Sequence, residues 1–269
     1  MYETFFGLKE SPFNVTPDPR FIYLSRHHLQ ALSALHYGIE SRRRFIEITG
    51  EIGAGKTTLC RTLLKELQGR VHTAFVFNPR LSELELLQVI VEDFGIVPNG
   101  RRRKDYFDAL NRFLLQELEK GSNAIVIIDE AQNLSPRALE QIRLLSNLET
   151  TREKLLQIIL VGQPELRTLL GRSDLVQLRQ RIAVRYHLPA LNREETEKYL
   201  THRLEVAGAS ESFFTSEAID RIYERSTGVP RLINVLADRA FLGAYAKGVK
   251  QVEADMIDEA QADLEGVRV

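Results

Sequence analysis

Cysteine is nearly absent from this chain of 269 residues, which contains only Cys60. A disulfide therefore cannot form within the chain, and no cysteine-rich metal site is available. A lone cysteine of this kind is expected to be a small buried apolar residue.

The chain also lacks a large net charge and long apolar runs. Lys and Arg total 36 against 37 for Asp and Glu, which gives a net charge of -1. The chain as a whole therefore has no attraction for nucleic acid or anionic lipid, and such a partner would have to be met locally. No apolar run approaches the roughly 20 residues that cross a bilayer, and the N-terminus lacks the features of a secretory signal. These absences predict a cytoplasmic protein with no transmembrane segment.

The apolar pattern predicts strands that alternate with helices, as in a parallel sheet. The predicted strands cover residues 45–49, 73–77, 124–128, 157–161 and 183–188. Beyond Pro189 the strand signal stops, and three or four helices follow, after Asn192, Thr215, Pro230 and Ala254. We therefore predict an α/β core with a parallel five-stranded sheet over 25–189 and a small all-helical lid over 190–269. Residues 1–24, which contain several prolines and phenylalanines, are predicted to form an extended arm.

A glycine-rich segment lies between the first predicted strand and the next predicted helix. It fits G-x-x-x-x-G-K-[ST] and reads Gly50-Glu51-Ile52-Gly53-Ala54-Gly55-Lys56-Thr57, followed by Thr58. Glycines allow backbone N–H groups to converge on a phosphate, the lysine reaches the outer phosphates, and the Thr57 hydroxyl is a ligand for Mg²⁺. The alternative is an ordinary glycine turn with an incidental lysine, which the flanking strand and helix disfavour. The segment predicts a P-loop that binds ATP with Mg²⁺.

Two carboxylates follow the apolar strand 124–128. We expect Asp129 to hold the metal through water, as in other P-loop nucleoside triphosphatases. Glu130 is the candidate base for the attacking water. The alternative is a pair of acids that cap the next segment, which is the weaker interpretation beside a complete P-loop.

With these motifs the chain resembles the AAA+ superfamily and, within it, the general secretion pathway protein A (ExeA-like) family, which is associated with type II secretion. The resemblance covers nearly the whole chain. It rests on Phe6-Gly7-Leu8, Pro17-Asp18-Pro19-Arg20-Phe21, Asp129-Glu130-Ala131-Gln132-Asn133-Leu134-Ser135, Val161-Gly162-Gln163-Pro164-Glu165-Leu166 and Gly228-Val229-Pro230-Arg231.

The resemblance implies further roles. Gln163 matches the sensor 1 position, where many AAA+ proteins have Asn or Thr, and Arg231 matches the sensor 2 arginine; a solvated helix arginine is the alternative for Arg231. Arg181 resembles the arginine finger that a neighbouring subunit supplies, with Arg179 and Arg185 as competitors. Asn78 is similar to a residue that holds the catalytic glutamate inactive in some AAA+ proteins.

The resemblance also implies a homo-oligomer that hydrolyses ATP at subunit interfaces to assemble or remodel a secretion or cell-envelope complex. Family members often continue into a membrane span and a peptidoglycan-binding domain, so we expect a cytoplasmic fragment, or a shorter relative held at the inner face of the membrane by a partner. The alternatives are a DNA-associated regulator similar to the AAA+ ATPases of transposition and a nucleotide switch that does not hydrolyse. The basic runs Arg42–Arg44 and Arg101–Lys104 are expected to be solvated, although the second is suited to phosphate or an acidic partner.

Overall fold

The computed structural model describes residues 2–15, 18–151 and 153–266. Within them the chain forms two compact units. The first, called the helical unit here, comprises the residues up to His27, the segment Glu51–Thr58 and the chain from Pro189 onward. The second, called the sheet unit, comprises His28–Gly50 and Leu59–Leu188. Pro17, which contributes to the resemblance, lies outside the described residues.

The sheet has five parallel strands, which confirms the predicted fold class. The strands are β1 Phe45–Gly50, β2 Val71–Val76, β3 Asn123–Ile128, β4 Gln157–Gly162 and β5 Ile182–Leu188. Their order across the sheet is β2-β3-β4-β1-β5. Strand β4 therefore lies between β3 and β1, and all of its neighbours run parallel to it. The carboxyl ends of β1, β3 and β4 consequently meet at one edge, where ligands of such sheets bind.

Helices connect the strands, and further helices precede β1 and follow β5 along the chain. They are α1 Tyr2–Phe6, α2 Arg26–Glu40, α3 Lys56–Leu67, α4 Glu83–Asp93, α5 Arg103–Glu119, α6 Pro136–Leu145, α7 Glu165–Leu170, α8 Val176–Arg179, α9 Arg193–Val206, α10 Ser216–Ser226, α11 Pro230–Lys247 and α12 Ala254–Glu265. Several of these helices begin at capping residues that are recognisable in the local sequence. Ser135 accepts a hydrogen bond from the Ala138 N–H with Pro136 in the first turn of α6, and Asn192 and Glu195 form a capping box at α9.

Strands β1, β3 and β4 are largely apolar because both faces of the sheet are covered there, whereas β2 and β5 at the edges of the sheet are partly exposed. All residues of β1 and β4 are buried, and Cys60 of α3 is fully buried as expected. Gly50 ends β1 at a close approach to β5, since a Cβ there would lie 2.6 Å from the Leu188 carbonyl oxygen. The first position of the P-loop is therefore a glycine for a packing reason within the sheet.

The N-terminal arm packs against helices of the helical unit. Phe6 and Phe13 contact the ring of Phe241 in α11, with centroid distances of 4.5 and 5.4 Å. The buried Arg203 of α9 donates hydrogen bonds to the carbonyl oxygens of Pro12 and Asn14. The prediction of an extended arm is wrong at its start, where α1 forms so that its aromatic side chains enter this cluster. The boundaries of the arm, core and lid stay a prediction.

Gly228, which precedes α11, offers a test of how this helix is positioned. It has a φ of +74°, and a Cβ there would lie 1.8 Å from the Leu191 carbonyl oxygen. We expect Gly228→Ala to lower the free energy of unfolding by at least about 2 kcal/mol, because the left-handed backbone and the backbone clash both oppose it. Chemical denaturation followed by circular dichroism measures the change.

The matched control is Gly243→Ala within α11. A Cβ at Gly243 meets nothing within 4 Å, so this variant should gain about 0.5–1 kcal/mol from helix propensity. Equal effects of the two substitutions would show that Gly228 does not fix the start of α11.

Candidate functional site: a phosphate loop and an acidic strand end

All of the P-loop segment after Gly50 belongs to the helical unit, which contains Glu51–Thr58. Gly53 and Gly55 have φ values of +79° and +95°, a region that side chains with a Cβ rarely adopt. Such alternation of backbone conformation turns N–H groups toward a common anion. The segment ends at the N-terminus of α3, which begins at Lys56 and adds positive potential.

Lys56 is buried within the loop. Only 5% of its surface is exposed, and its ammonium donates a hydrogen bond to the Glu51 carbonyl oxygen at 2.8 Å. Thr57 and Thr58 follow in the first turn of α3. An ammonium, a helix N-terminus and a hydroxyl are the groups that bind the phosphates of ATP and its Mg²⁺. The residues present therefore fit this cofactor.

Arg231 lies against the same loop. Its backbone N–H donates to the Gly53 carbonyl oxygen at 3.3 Å, and a Cβ on Gly53 would lie 2.5 Å from the Arg231 Cβ. Gly53 is thus needed both for its backbone conformation and for the approach of α11. The arrangement brings the predicted sensor 2 residue to the phosphate loop, which spacing in the sequence does not reveal.

Asp129 occupies the carboxyl end of β3 in the sheet unit. It is 3% exposed, its N–H donates to the Val76 carbonyl oxygen at 2.9 Å, and its Oδ1 accepts from the Glu130 N–H at 2.9 Å. A carboxylate held in this way fits the predicted role of holding Mg²⁺ through water, since Mg²⁺ in proteins is commonly bound by one or two carboxylates.

Glu130 follows in the left-handed conformation, with φ 51° and ψ 36°. Its Oε2 accepts hydrogen bonds from the side-chain amides of Gln132 at 2.5 Å and Gln163 at 3.0 Å. The resemblance predicts Gln163 for this site but gives no role to Gln132. The signal for Gln132 was present in the Asp-Glu-Ala-Gln segment, where a polar residue stands just after the two acids.

Asn78 does not hold Glu130 in the described part of the chain. Its Oδ1 accepts from the Arg80 N–H at 3.3 Å, whereas the bonds to the Glu130 carboxylate come from the two glutamines. The suggested role of Asn78 as a restraint on Glu130 has no support in this arrangement.

The three candidate finger arginines have different surroundings in the sheet unit. Arg181 is partly buried and donates to Ser146 Oγ at 2.9 Å and Asn147 Oδ1 at 2.6 Å, just after α6. Burial, followed by the neighbouring Arg44 and Arg143, lowers the pKa of its guanidinium. The exposed Arg185 donates to the buried Glu47 at 3.0 Å, and the exposed Arg179 donates to the Gly171 carbonyl oxygen at 3.2 Å. The choice among them stays a prediction.

Residues 39–170 match the family described as AAA domain. General secretion pathway protein A of Aeromonas hydrophila is 42% identical over 269 residues, which is 100% of this chain and 49% of that protein. The chain belongs to the AAA+ ATPase family, related to general secretion pathway protein A. It spans about half the length of this relative.

More distant proteins share the AAA+ fold or part of the sequence. The ATP-dependent target DNA activator B of Escherichia phage Mu is 27% identical over 81% of this chain and 65% of its own length. The solved structure of the ORC2 protein of Aeropyrum pernix has a TM-score of 0.68, covering 94% of this chain and 71% of that one at 22% identity. At that identity the structural likeness shows the fold alone.

Among the described residues, no helix is long and apolar enough to span a membrane. The basic run Arg101–Lys104 is exposed where α5 begins, and within it Arg103 hydrogen-bonds to Gln141. The members of the run Arg42–Arg44 have partners within the chain, including Glu153, Tyr37 and Glu149.

Proposed function

We propose that this chain hydrolyses ATP at interfaces between the subunits of an oligomer and so drives assembly or remodelling of a secretion or cell-envelope complex. The proposal that the chain hydrolyses ATP rests on Glu130. Its carboxylate follows Asp129 and accepts hydrogen bonds from two side-chain amides, which hold it in position. A scaffold or a switch that only binds nucleotide needs no such base.

Each site residue then has a distinct task. The P-loop backbone and Lys56 bind the phosphates, and Thr57 and Asp129 would hold Mg²⁺, which neutralises phosphate charge when bound. Glu130 accepts the proton of the attacking water. Gln163 orients this base, and Arg231 senses the outer phosphate from its place on the loop.

The oligomer follows from the need for an arginine from a neighbouring subunit. Arginine fingers stabilise the charge that develops on the transferred phosphoryl group. We propose Arg181 for this task, with Arg179 and Arg185 as the competing residues. In this arrangement the subunit that binds ATP is inactive until its neighbour contributes the guanidinium.

The envelope role is supported by the 42% identity with general secretion pathway protein A along the whole of this chain. We propose that the protein acts in the cytoplasm, at the inner face of the membrane, through a protein partner of the envelope machinery. A pull-down of solubilised membrane proteins with Glu130→Gln and ATP tests this, with Lys56→Ala as the control that does not hold ATP. Recovery of the same proteins with both variants would contradict an ATP-dependent partner.

A DNA-associated role is the second candidate, because the phage Mu relative is a target DNA activator. The exposed basic run Arg101–Lys104 is the part of the surface that would meet phosphate. Against this, the net charge of -1 provides no general attraction to DNA.

We expect the ATP-bound protein to bind duplex DNA weakly and to lose this binding at about 150 mM salt, because an affinity that rests on a few electrostatic phosphate contacts is low and is screened by salt. Fluorescence anisotropy over a salt series measures it. The variant Arg101→Glu/Arg102→Glu should abolish the residual binding, whereas the charge-matched control Arg70→Glu/Lys250→Glu should not. ATP-dependent filaments on DNA that persist at this salt concentration would favour the second candidate over the envelope role.

A further inference from the structure

The carboxylate of Glu130 is part of a closed set of hydrogen bonds. The amides of Gln132 and Gln163 both donate to its Oε2, at 2.5 and 3.0 Å. The two glutamines are also joined directly, because the backbone N–H of Gln163 donates to Gln132 Oε1 at 3.0 Å. The ends of β3 and β4 are thereby connected through Gln132.

These bonds fix the direction in which the Gln132 amide points. A backbone N–H can only donate, so the group of Gln132 that faces Gln163 N is its oxygen. The nitrogen of the same amide must then face Glu130, where it donates to a carboxylate oxygen. Since both amides meet Oε2, Oε1 is the oxygen that can take a proton from water.

Gly162, the last residue of β4, makes room for this side chain. A Cβ on Gly162 would lie 2.6 Å from Gln132 Oε1, and 3.1 and 3.2 Å from side-chain atoms of Leu166. The backbone of Gly162 is not in the left-handed region, so its own conformation does not require glycine. Glycine is required at this position because the Gln132 side chain occupies the space that a Cβ would fill.

The backbone at Glu130 also needs support. A residue other than glycine in the left-handed region is strained and persists where its surroundings determine it. The turn that follows Glu130 supplies part of this support, since the Asn133 N–H donates to the Glu130 carbonyl oxygen at 2.9 Å. The bonds from Gln132 and Gln163 determine the side chain itself.

We propose that Gln132 is a positioning residue for ATP hydrolysis, which holds Glu130 so that Oε1 faces the attacking water. This inference rests on the proposed function of Glu130 as the base. Gln132 acts through Glu130 and Gln163 and does not itself contact the nucleotide.

The variant Gln132→Met removes the amide and nearly keeps the volume. We expect kcat for ATP hydrolysis to fall roughly 10- to 100-fold, the effect of losing a hydrogen bond to a charged group, with the Kd for ATP unchanged within about twofold. The matched control is Gln116→Met, at an exposed glutamine of α5, which should keep the parental kcat. An unchanged kcat for Gln132→Met, in a protein whose Glu130→Gln variant is inactive, would overturn the role of Gln132 while leaving that of Glu130 intact.

A second readout does not depend on hydrolysis. The N–H of Gln163 loses its acceptor in Gln132→Met, so its hydrogen exchange measured by NMR should become at least about tenfold faster. Neighbouring amides with backbone acceptors, such as Leu166, should exchange at the parental rate. An unchanged rate at Gln163 would contradict the bond from which the proposal starts, whatever the ATPase activity.

Gly162→Ala provides a test with both amides still present. Its Cβ should displace Gln132 and lower kcat to the level of Gln132→Met. In the double variant Gln132→Ala/Gly162→Ala the added Cβ no longer meets the Gln132 amide oxygen, so kcat should equal that of Gln132→Ala alone. Additive losses would show that Gly162 acts through Leu166 or the strand and would overturn its link to Gln132. A parental protein that hydrolyses no ATP would overturn the proposed function, and with it the role of Gln132.

Discussion

Glu130→Gln is expected to bind ATP with the parental affinity and to hydrolyse it about 10²–10⁴ times more slowly. The amide has nearly the size of the carboxylate but cannot accept the proton of the attacking water, and a positioned base contributes a factor of this order. Equilibrium binding of a fluorescent ATP analogue and steady-state phosphate release measure the two properties. Hydrolysis at the parental rate would show that another group is the base.

The paired variant Lys56→Ala should have a different defect. It removes a charged contact to the outer phosphates, so the affinity for ATP should fall at least about tenfold. Lys56 is buried and bonded to Glu51 within the loop. The thermal unfolding of the Lys56→Ala variant must therefore be compared with that of the parental protein. Equal defects in the two variants would contradict the separation of phosphate binding from water activation.

Arg181→Ala is expected to bind ATP normally and to hydrolyse it about 10³ times more slowly, the order of effect of an arginine finger. The structure supplies a necessary control, because Arg181 also bonds to Ser146 and Asn147 after α6. Asn147→Ala removes one of these bonds and keeps the guanidinium. If Arg181 only stabilises the end of α6, both Asn147→Ala and Arg181→Ala should lower the free energy of unfolding. In that case Arg181→Ala should not lower kcat by a large factor.

Arg179→Ala and Arg185→Ala identify the finger among the three candidates. Arg185 bonds to Glu47, which is 2% exposed, so its loss leaves a buried carboxylate with fewer partners and should destabilise the sheet unit. Arg179 bonds to a carbonyl oxygen, and its removal should cost little stability. A loss of about 10³ in kcat at either residue, with Arg181→Ala active, would move the assignment to that residue.

Much of the fold could be predicted from the sequence because the signals for these elements are local. Apolar runs buried on both faces mark β1, β3 and β4, and the caps at Ser135 and Asn192 mark the starts of α6 and α9. The P-loop is recognisable because glycine is required at left-handed positions such as Gly53 and Gly55. In each case the physical cause lies within a few residues along the chain.

The remaining features depend on contacts between distant residues. Leu29 of α2 lies at helical spacing from Leu32 and Leu35 but is 51% exposed, whereas those two residues are buried. The spacing of apolar residues predicts a helix face but does not predict which part of that face is covered. Arg203 is buried since its partners, Pro12 and Asn14, come from the N-terminal arm. Gln132 joins Glu130 to Gln163 only because β3 and β4 are neighbours in the sheet.

Mixing two inactive variants tests the central claim, that ATP is hydrolysed at a site shared between subunits. Arg181→Ala retains Glu130 but lacks the finger, and Glu130→Gln retains the finger but lacks the base. Phosphate release should reappear on mixing and reach its maximum near equal amounts, since some interfaces then contain one intact site. The parental activity per subunit should likewise rise with protein concentration. No phosphate release at any ratio, with co-assembly of the two variants shown by cross-linking, would contradict a shared site.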